Sequence, residues 1–531
     1  MRWGAVLLSA CIWATQAARA ADITIGMAAA ATSADPHFHA FTPNNQLAHH
    51  VFSTLVESDA HQTMQPGIAD RWELEGDRSW IMHLHPGVKF HDGSDFTARD
   101  VVYSLCRVLH PSGPTGSFQV ASRSLAGIDV IDDLTLRLRM NVPDPGFLNN
   151  LGGVHMISAR SAGAGVVTFD VASGCGDIPT PKAQDFDSLK MANGTGPYRL
   201  VAYSSGETVV LEANKAYWGR KPHWDRVTLK ALPNAGARLA GLLAGEIDLI
   251  ENPSAQDLPT IKARGGLAYA AVPSSRIIFL QPDIARDPSP LASDKAGHNP
   301  LRDARVREAI SLAIDRRAIT TRLLDGLAVP ADRFTPEGLF GALTDKVKIE
   351  YDPARAKALL AEAGATGMTL TLSATRDRYI SDAAVAQAIG QYLSRVGIAV
   401  KVDAMAQVNF FPGRARKDFS FAMGGWGYGS EGVAYMLRPW LAHTDPVRGF
   451  GGSNYGGYES EAFNAAFDKA VVEMDDARRT ALLQTAERQA LADHALIPLY
   501  WETSLWAFKD RYSFAGRADQ ATYADDLSLK E

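Results

Sequence analysis

The sequence predicts an α/β protein of more than one domain. Helical stripes of apolar residues alternate with short apolar runs along most of the chain. Glycine and proline punctuate these segments without forming a low-complexity tract or an internal repeat. The length of 531 residues exceeds what one core accommodates.

The elements follow in order. Arg2 precedes an apolar run from Gly4 to Thr15 that only Ser9 interrupts, and Ala18-Arg19-Ala20 has the form of a signal-peptidase site. About a dozen apolar residues fall short of the roughly 20 that span a bilayer. The segment therefore reads as a signal peptide cleaved between Ala20 and Ala21. Leu8-Ser9-Ala10-Cys11 offers a rival reading, a lipoprotein box acylated at Cys11, but the apolar run continues past Cys11 to the later site. No later segment reaches transmembrane length, so the mature chain is expected to be exported, periplasmic and not membrane-spanning.

Ile23 to Ala29 reads as a first strand, and Val101, Val102, Leu105, Val108 and Leu109 mark one face of a helix that carries Cys106. With the signal removed, Cys106 and Cys175 remain, which allows one disulfide. An oxidising compartment favours the bridge, while the apolar setting of Cys106 suits a buried free thiol. Both readings stand at this stage. Asn193-Gly194-Thr195-Gly196-Pro197 describes a tight turn before a strand from Tyr198 to Tyr203. Ala235 to Ala244 is helical and stops at Gly245, before a strand over Ile247 to Ile250. Asp303 caps one further helix, and Asp352-Pro353 starts another that ends at Gly364. Helices from Ser460 to about Val472 and from Asp475 to about Asp493 precede a last strand, Leu496 to Tyr500.

Charge and motif content exclude several function classes. The net charge of −6 becomes −8 when Arg2 and Arg19 leave, and basic runs are absent, which argues against nucleic acid or an anionic membrane as partner. Ser430 has glycine at +2 but Tyr428 at −2, so it is no nucleophile elbow, and no phosphate loop occurs. Gly427-Tyr428-Gly429-Ser430-Glu431-Gly432 fits G-x-G-x-x-G, but Pro439 cuts the following helix within two turns. It reads instead as a loop lining a cleft. His83, His85 and His91, and the pairs His37-x-His39 and His49-His50, have metal-like spacing without the further ligands of a closed cage. A structural role is the alternative for each. No acid–base pair is nominated by spacing, and no cofactor or resident metal is expected.

Several segments resemble, in order, the signatures of the family 5 extracellular solute-binding proteins of ABC importers, the group of the oligopeptide- and dipeptide-binding proteins. They are Gln65 to Trp72, Trp80 to Gly93, Thr97 to Val102, Asn193 to Tyr198, Ala216 to Gly219, Val306 to Ala309, Ala313 to Arg316 and Tyr351 to Pro353. The resemblance implies a two-lobed, type II-like periplasmic binding protein with an extra subdomain on its first lobe. Residues 21–52, 190–272 and 497–531 would form lobe I, 53–189 the subdomain and 273–496 lobe II. It implies a monomer that catalyses nothing, captures a small ligand between the lobes and hands it to a membrane permease with its ATPase. A peptide is the foremost ligand; nickel chelates, opines, glutathione-like compounds and saccharides also suit the scaffold. The rival class is a periplasmic hydrolase.

Position in the family map nominates the ligand-binding residues. Ser33, Ala34 and His37 follow the first strand and would edge the cleft. Trp426, Tyr428 and Trp440 surround the glycine loop, and Tyr500 and Trp501 end the last strand. Peptide-binding relatives carry an aspartate a few residues after the tryptophan that Trp426 matches; this chain has Glu431 there. Glu431 is therefore expected to anchor a ligand ammonium, with a solvated loop acid as its alternative.

Overall fold

The structure, a computed structural model, describes residues 21–113, 118–345, 350–427, 429, 431–445 and 448–530. The segment expected to be a signal peptide, with Cys11, and Tyr428 lie outside the described residues.

The helices begin and end where the local chemistry dictates. Asp303 accepts from the Arg305 amide at the head of Ala304–Ala313, and Asp352 caps Pro353–Glu362 through the Arg355 amide. Asn234 caps Ala235–Ala244, and Gly245 leaves that helix in the left-handed conformation, φ 79°. The two tail helices are Glu461–Ala470 and Asp476–Ala492. Two strands differ from expectation. Ile247 and Asp248 precede the strand Leu249–Glu251 rather than belonging to it. The last strand runs past Tyr500 to Lys509, as Ile497–Lys509, because the polar run Glu502-Thr503-Ser504 that follows is itself buried.

A 12-stranded mixed sheet organises the molecule. Across it lie Ala292–Ser293, Thr369–Thr375, Phe421–Trp426, Leu267–Pro282, Ile497–Lys509, Leu249–Glu251, Asp22–Met27, Arg226–Ala231, Thr208–Ala213 and Tyr198–Ser204. Ala399–Met405 joins beside Thr369–Thr375, and Ala328–Pro330 beside Ile497–Lys509. Two long strands thus bridge the two halves. Leu267 to Val272 pair with Lys509 to Ser504 in one half, and Ile277 to Leu280 pair with Trp501 to Ile497 in the other, with the register breaking between Pro273 and Ile277. Separate cores sit on either side of that break. One is built around Ile25, Tyr198, Leu211 and Trp506, the other around Ile310, Leu372, Ile389 and Met423.

A four-stranded antiparallel sheet of Ala69–Glu75, Ser79–Leu84, Thr135–Met140 and Leu125–Asp132 stands apart with a third core. Helix Ala98–Arg107 covers it, and Cys106 is joined to Cys175 in a disulfide. The free-thiol reading is thereby corrected: an apolar helix face can hold one half of a bridge as readily as a thiol, and sequence pattern does not separate the two.

Candidate ligand cleft

The signature segments meet as a structural joint. The Gly194-Thr195-Gly196 turn lies against the end of helix Thr42–Val51, where a Cβ on Gly194 would sit 1.9 Å from the Val51 carbonyl oxygen. His91 donates its backbone amide to the Gly194 carbonyl and lies with Nε2 3.0 Å from the Gly196 carbonyl. Trp218 Nε1 donates to the Thr195 carbonyl at 3.1 Å. Burial lowers the His91 imidazole to about 4, so it is neutral and structural. Among the described residues no cluster of three or more histidine, cysteine or acidic side chains is arranged to hold a metal.

The segment after the first strand is also spoken for. Ser33 Oγ and the Ala34 amide both donate to Asp187 Oδ1, at 2.9 and 2.7 Å. His37 Nε2 lies 2.7 Å from the His155 carbonyl, so that nitrogen carries the proton; burial holds the ring neutral, with its pKa at about 3. Between them Asp35 receives two hydrogen bonds from Arg107, at 2.8 and 2.6 Å, with both side chains essentially inaccessible. That pair draws the segment inward. The Ser33 hydroxyl, the Ala34 amide and His37 Nε2 are engaged by partners within the protein.

Glu431 is neither solvated nor waiting for a cation. Its carboxylate is 1% exposed, 2.5 Å from Arg438 and 3.5 Å from Arg479. Asp144, on a turn of the segment with the four-stranded sheet, feels both arginines and Glu431, and burial raises its pKa. A Cβ on neighbouring Gly146 would lie 2.6 Å from Glu431 Oε1. Two carboxylates and two guanidinia therefore balance where that segment meets the glycine loop.

The aromatic candidates divide. Trp440 is buried edge-on against Phe279, under the Arg414 guanidinium at 4.6 Å. Tyr500 and Trp501 are buried in the last strand, and Trp501 Nε1 donates to the Phe334 carbonyl. Trp426 is half-buried; it stacks on Tyr435 at 5.6 Å and donates to the Tyr435 carbonyl.

Beside Trp426, at the broken register of the two long strands, lies a polar cluster that sequence reasoning missed. Arg276 donates to Gln520 at 2.7 Å and lies 3.7 Å from Glu502. Burial, then the neighbouring Arg378, lowers the Arg276 guanidinium, while burial raises the Glu502 carboxyl. The exposed Arg378 lies over the Tyr379 ring at 5.3 Å and has no carboxylate within ion-pair distance among the described residues. The glycines make room for these groups. A Cβ on Gly425 would meet the Tyr379 ring at 2.7 Å, and one on Gly427 would lie 3.4 Å from the Arg276 guanidinium. Polar residues inside the apolar strand Leu267–Pro282 were the available signal.

Two cavities lie against the strand Val56–Ser58. One of about 200 Å³ lies between Leu148 to Gly153 and the glycine loop, with Tyr435 and Glu431 on its wall. The other, of about 380 Å³, is walled by His49, Tyr217, Tyr523 and Asp525. Glu57 and Ser58 line both.

This architecture has known counterparts. The chain superposes on the periplasmic binding protein DppA from Helicobacter pylori, solved with the peptide STSA, with a TM-score of 0.75 at 21% identity, covering 96% of this chain and 98% of that one. In sequence it is 26% identical over 519 residues to the glutathione-binding protein GsiB of Pectobacterium atrosepticum, spanning 95% of this chain and 90% of the relative. It is 29% identical over 341 residues to heme-binding protein A of Haemophilus influenzae, spanning 61% of this chain and only 58% of that relative. Residues 63–446 match the model of the bacterial extracellular solute-binding proteins, family 5, and the chain belongs to that family.

Proposed function

We propose that this chain is the periplasmic solute-binding component of an ABC importer and that it carries a short peptide. The observation that supports the ligand class is the neighbouring guanidinia Arg276 and Arg378, of which, among the described residues, only Arg276 has a carboxylate, the buried Glu502, within ion-pair distance. The cluster has one positive charge in excess, in a setting where a ligand carboxylate restores balance. Beside it, strand Phe421–Trp426 pairs with Thr369–Thr375 only at Ala422, opposite Ser373. The half from Gly424 to Trp426 thus has an edge to which an extended peptide backbone can add. Trp426 and Tyr435 supply the apolar wall. The DppA relative, solved with a bound peptide, accords with this choice.

The same reading includes export with cleavage after Ala20, the division into lobes at about residues 52, 190, 273 and 497, and delivery to a membrane permease. Among the described residues no helix is long and apolar enough to cross a membrane. Calorimetry with trialanine and trialanine amide tests the ligand class. Wild type should prefer the free carboxylate, and Arg378→Gln should erase that preference by weakening trialanine binding about 30-fold or more. Mass spectrometry of molecules released on denaturation gives an independent check. Recovery of a sugar or a metal chelate, with no peptide bound in calorimetry, would sink the peptide assignment.

A further inference from the structure

With Glu431 internally balanced, the cleft needs another group to meet the positive end of a peptide. The wall shared by the two cavities supplies it. Of the four carboxylates on the larger cavity, three are already engaged. Asp59 accepts from the amides of His61 and Thr63, at 2.8 and 2.9 Å. Asp525 accepts from the Tyr198 hydroxyl at 2.8 Å, and Asp526 lies 3.5 Å from Arg517. Glu57 is the fourth, and among the described residues its carboxylate accepts no hydrogen bond and forms no ion pair.

We propose that Glu57 is the acidic anchor for a ligand ammonium group, received where the two cavities meet; this rests on the peptide reading above. The carboxylates lining the larger cavity outnumber its two guanidinia, Arg220 and Arg517, by two. Arg517 is held by Asp519 at 2.8 Å as well as by Asp526, so it is not free to neutralise Glu57. His49 adds no positive charge, since burial lowers its pKa well below the usual range while its ring stacks on Tyr523 at 3.8 Å. The Tyr217 ring on the same wall offers a π face to an ammonium. Burial pushes the Glu57 carboxyl up to about 7, opposed only in part by Arg517, and an ammonium at hydrogen-bond distance would restore its charged form.

Geometry then sets the polarity of the ligand. Glu57 shares the smaller cavity with Tyr435, whose ring stacks on Trp426 beside the guanidinium pair. A zwitterionic peptide would enter with its carboxylate at Arg276 and Arg378 and its amino terminus at Glu57.

The test is a cycle of protein and ligand changes read by calorimetry, with trialanine and N-acetyl-trialanine against wild type and Glu57→Gln. Glutamine keeps the side-chain shape and removes the cost of burying a charge, and a thermal melt confirms that the variant folds. Wild type should bind trialanine about 30-fold or more tightly than its acetylated form, and Glu57→Gln should bind the two alike. If the variant keeps the wild-type preference for the free amine, Glu57 is not the anchor, while the peptide reading stands. If wild type binds neither peptide, the peptide reading falls and the anchor with it.

Discussion

Replacing Glu431 by glutamine separates two roles that the sequence left open. The carboxylate is 1% exposed, and both guanidinia that it meets are largely enclosed, Arg479 at 5% and Arg438 at 18%. Glutamine retains the oxygen that accepts from Arg438 but leaves two cations with one carboxylate fewer. Removing one partner of a buried ion pair costs about 3–5 kcal/mol. Asp144 remains to face both arginines and Arg438 is partly hydrated, which places the expected loss near the lower end, about 3 kcal/mol. Urea unfolding followed by tryptophan fluorescence reads that loss, with Trp426 and Trp440 in the same half of the molecule as reporters. Because the pairing is internal, the ratio of affinities for trialanine and N-acetyl-trialanine should not change. Unaltered stability together with a collapse of that ratio would refute the reasoning and return Glu431 to the role of ammonium anchor.

Two further outcomes follow from buried geometry. Glu487 is fully buried and accepts from the Phe334 amide at 2.8 Å, and burial pushes its pKa up to about 8. A raised carboxyl stabilises the fold fully below its unfolded value near 4.5, and that stability is lost as pH rises through about 8. Urea midpoints should therefore fall across this window, an effect of about 5 kcal/mol in total, and Glu487→Gln should flatten the slope; a slope unchanged by the substitution would show that Glu487 titrates normally. Gly194→Ala would force a Cβ into the Val51 carbonyl at 1.9 Å, between two backbones that cannot yield as a side chain can. A loss of about 2–3 kcal/mol in urea unfolding is expected, and wild-type stability would mean that the turn relaxes without cost.

Local structure was largely legible. The caps at Asp303 and Asp352, and the left-handed stop at Gly245, each depend on atoms within a few residues, so a short window contains the whole cause. The last strand was truncated for a converse reason. Glu502, Thr503 and Ser504 look like the end of an apolar run, yet strand partners on both sides and Arg276 hold them inside. The cysteine pair was undecidable because 69 residues separate its halves. Contact between them depends on how the four-stranded sheet folds, not on either flank.

The cleft was the least legible part, and the reason is physical. Motifs that stand out in one sequence are dense in glycine, proline and tryptophan, residue types that close approach and tight turns demand. Here those motifs build the joint of Val51, His91, Gly194 and Trp218, whose chemistry is close packing and hydrogen bonding to backbone carbonyls. Ligand recognition needs something different, charged groups whose fields are not cancelled by their neighbours. Whether a charge is cancelled depends on residues remote in sequence: Asp35 by Arg107, Glu431 by Arg438 and Arg479, Asp526 by Arg517. Arg276, Arg378 and Glu57, the groups proposed to meet the ligand, become conspicuous only against that accounting of the described residues. In a clamp that holds its solute through such shortfalls, an acid in the expected loop is weak evidence of anchoring until its own cation is shown to be absent.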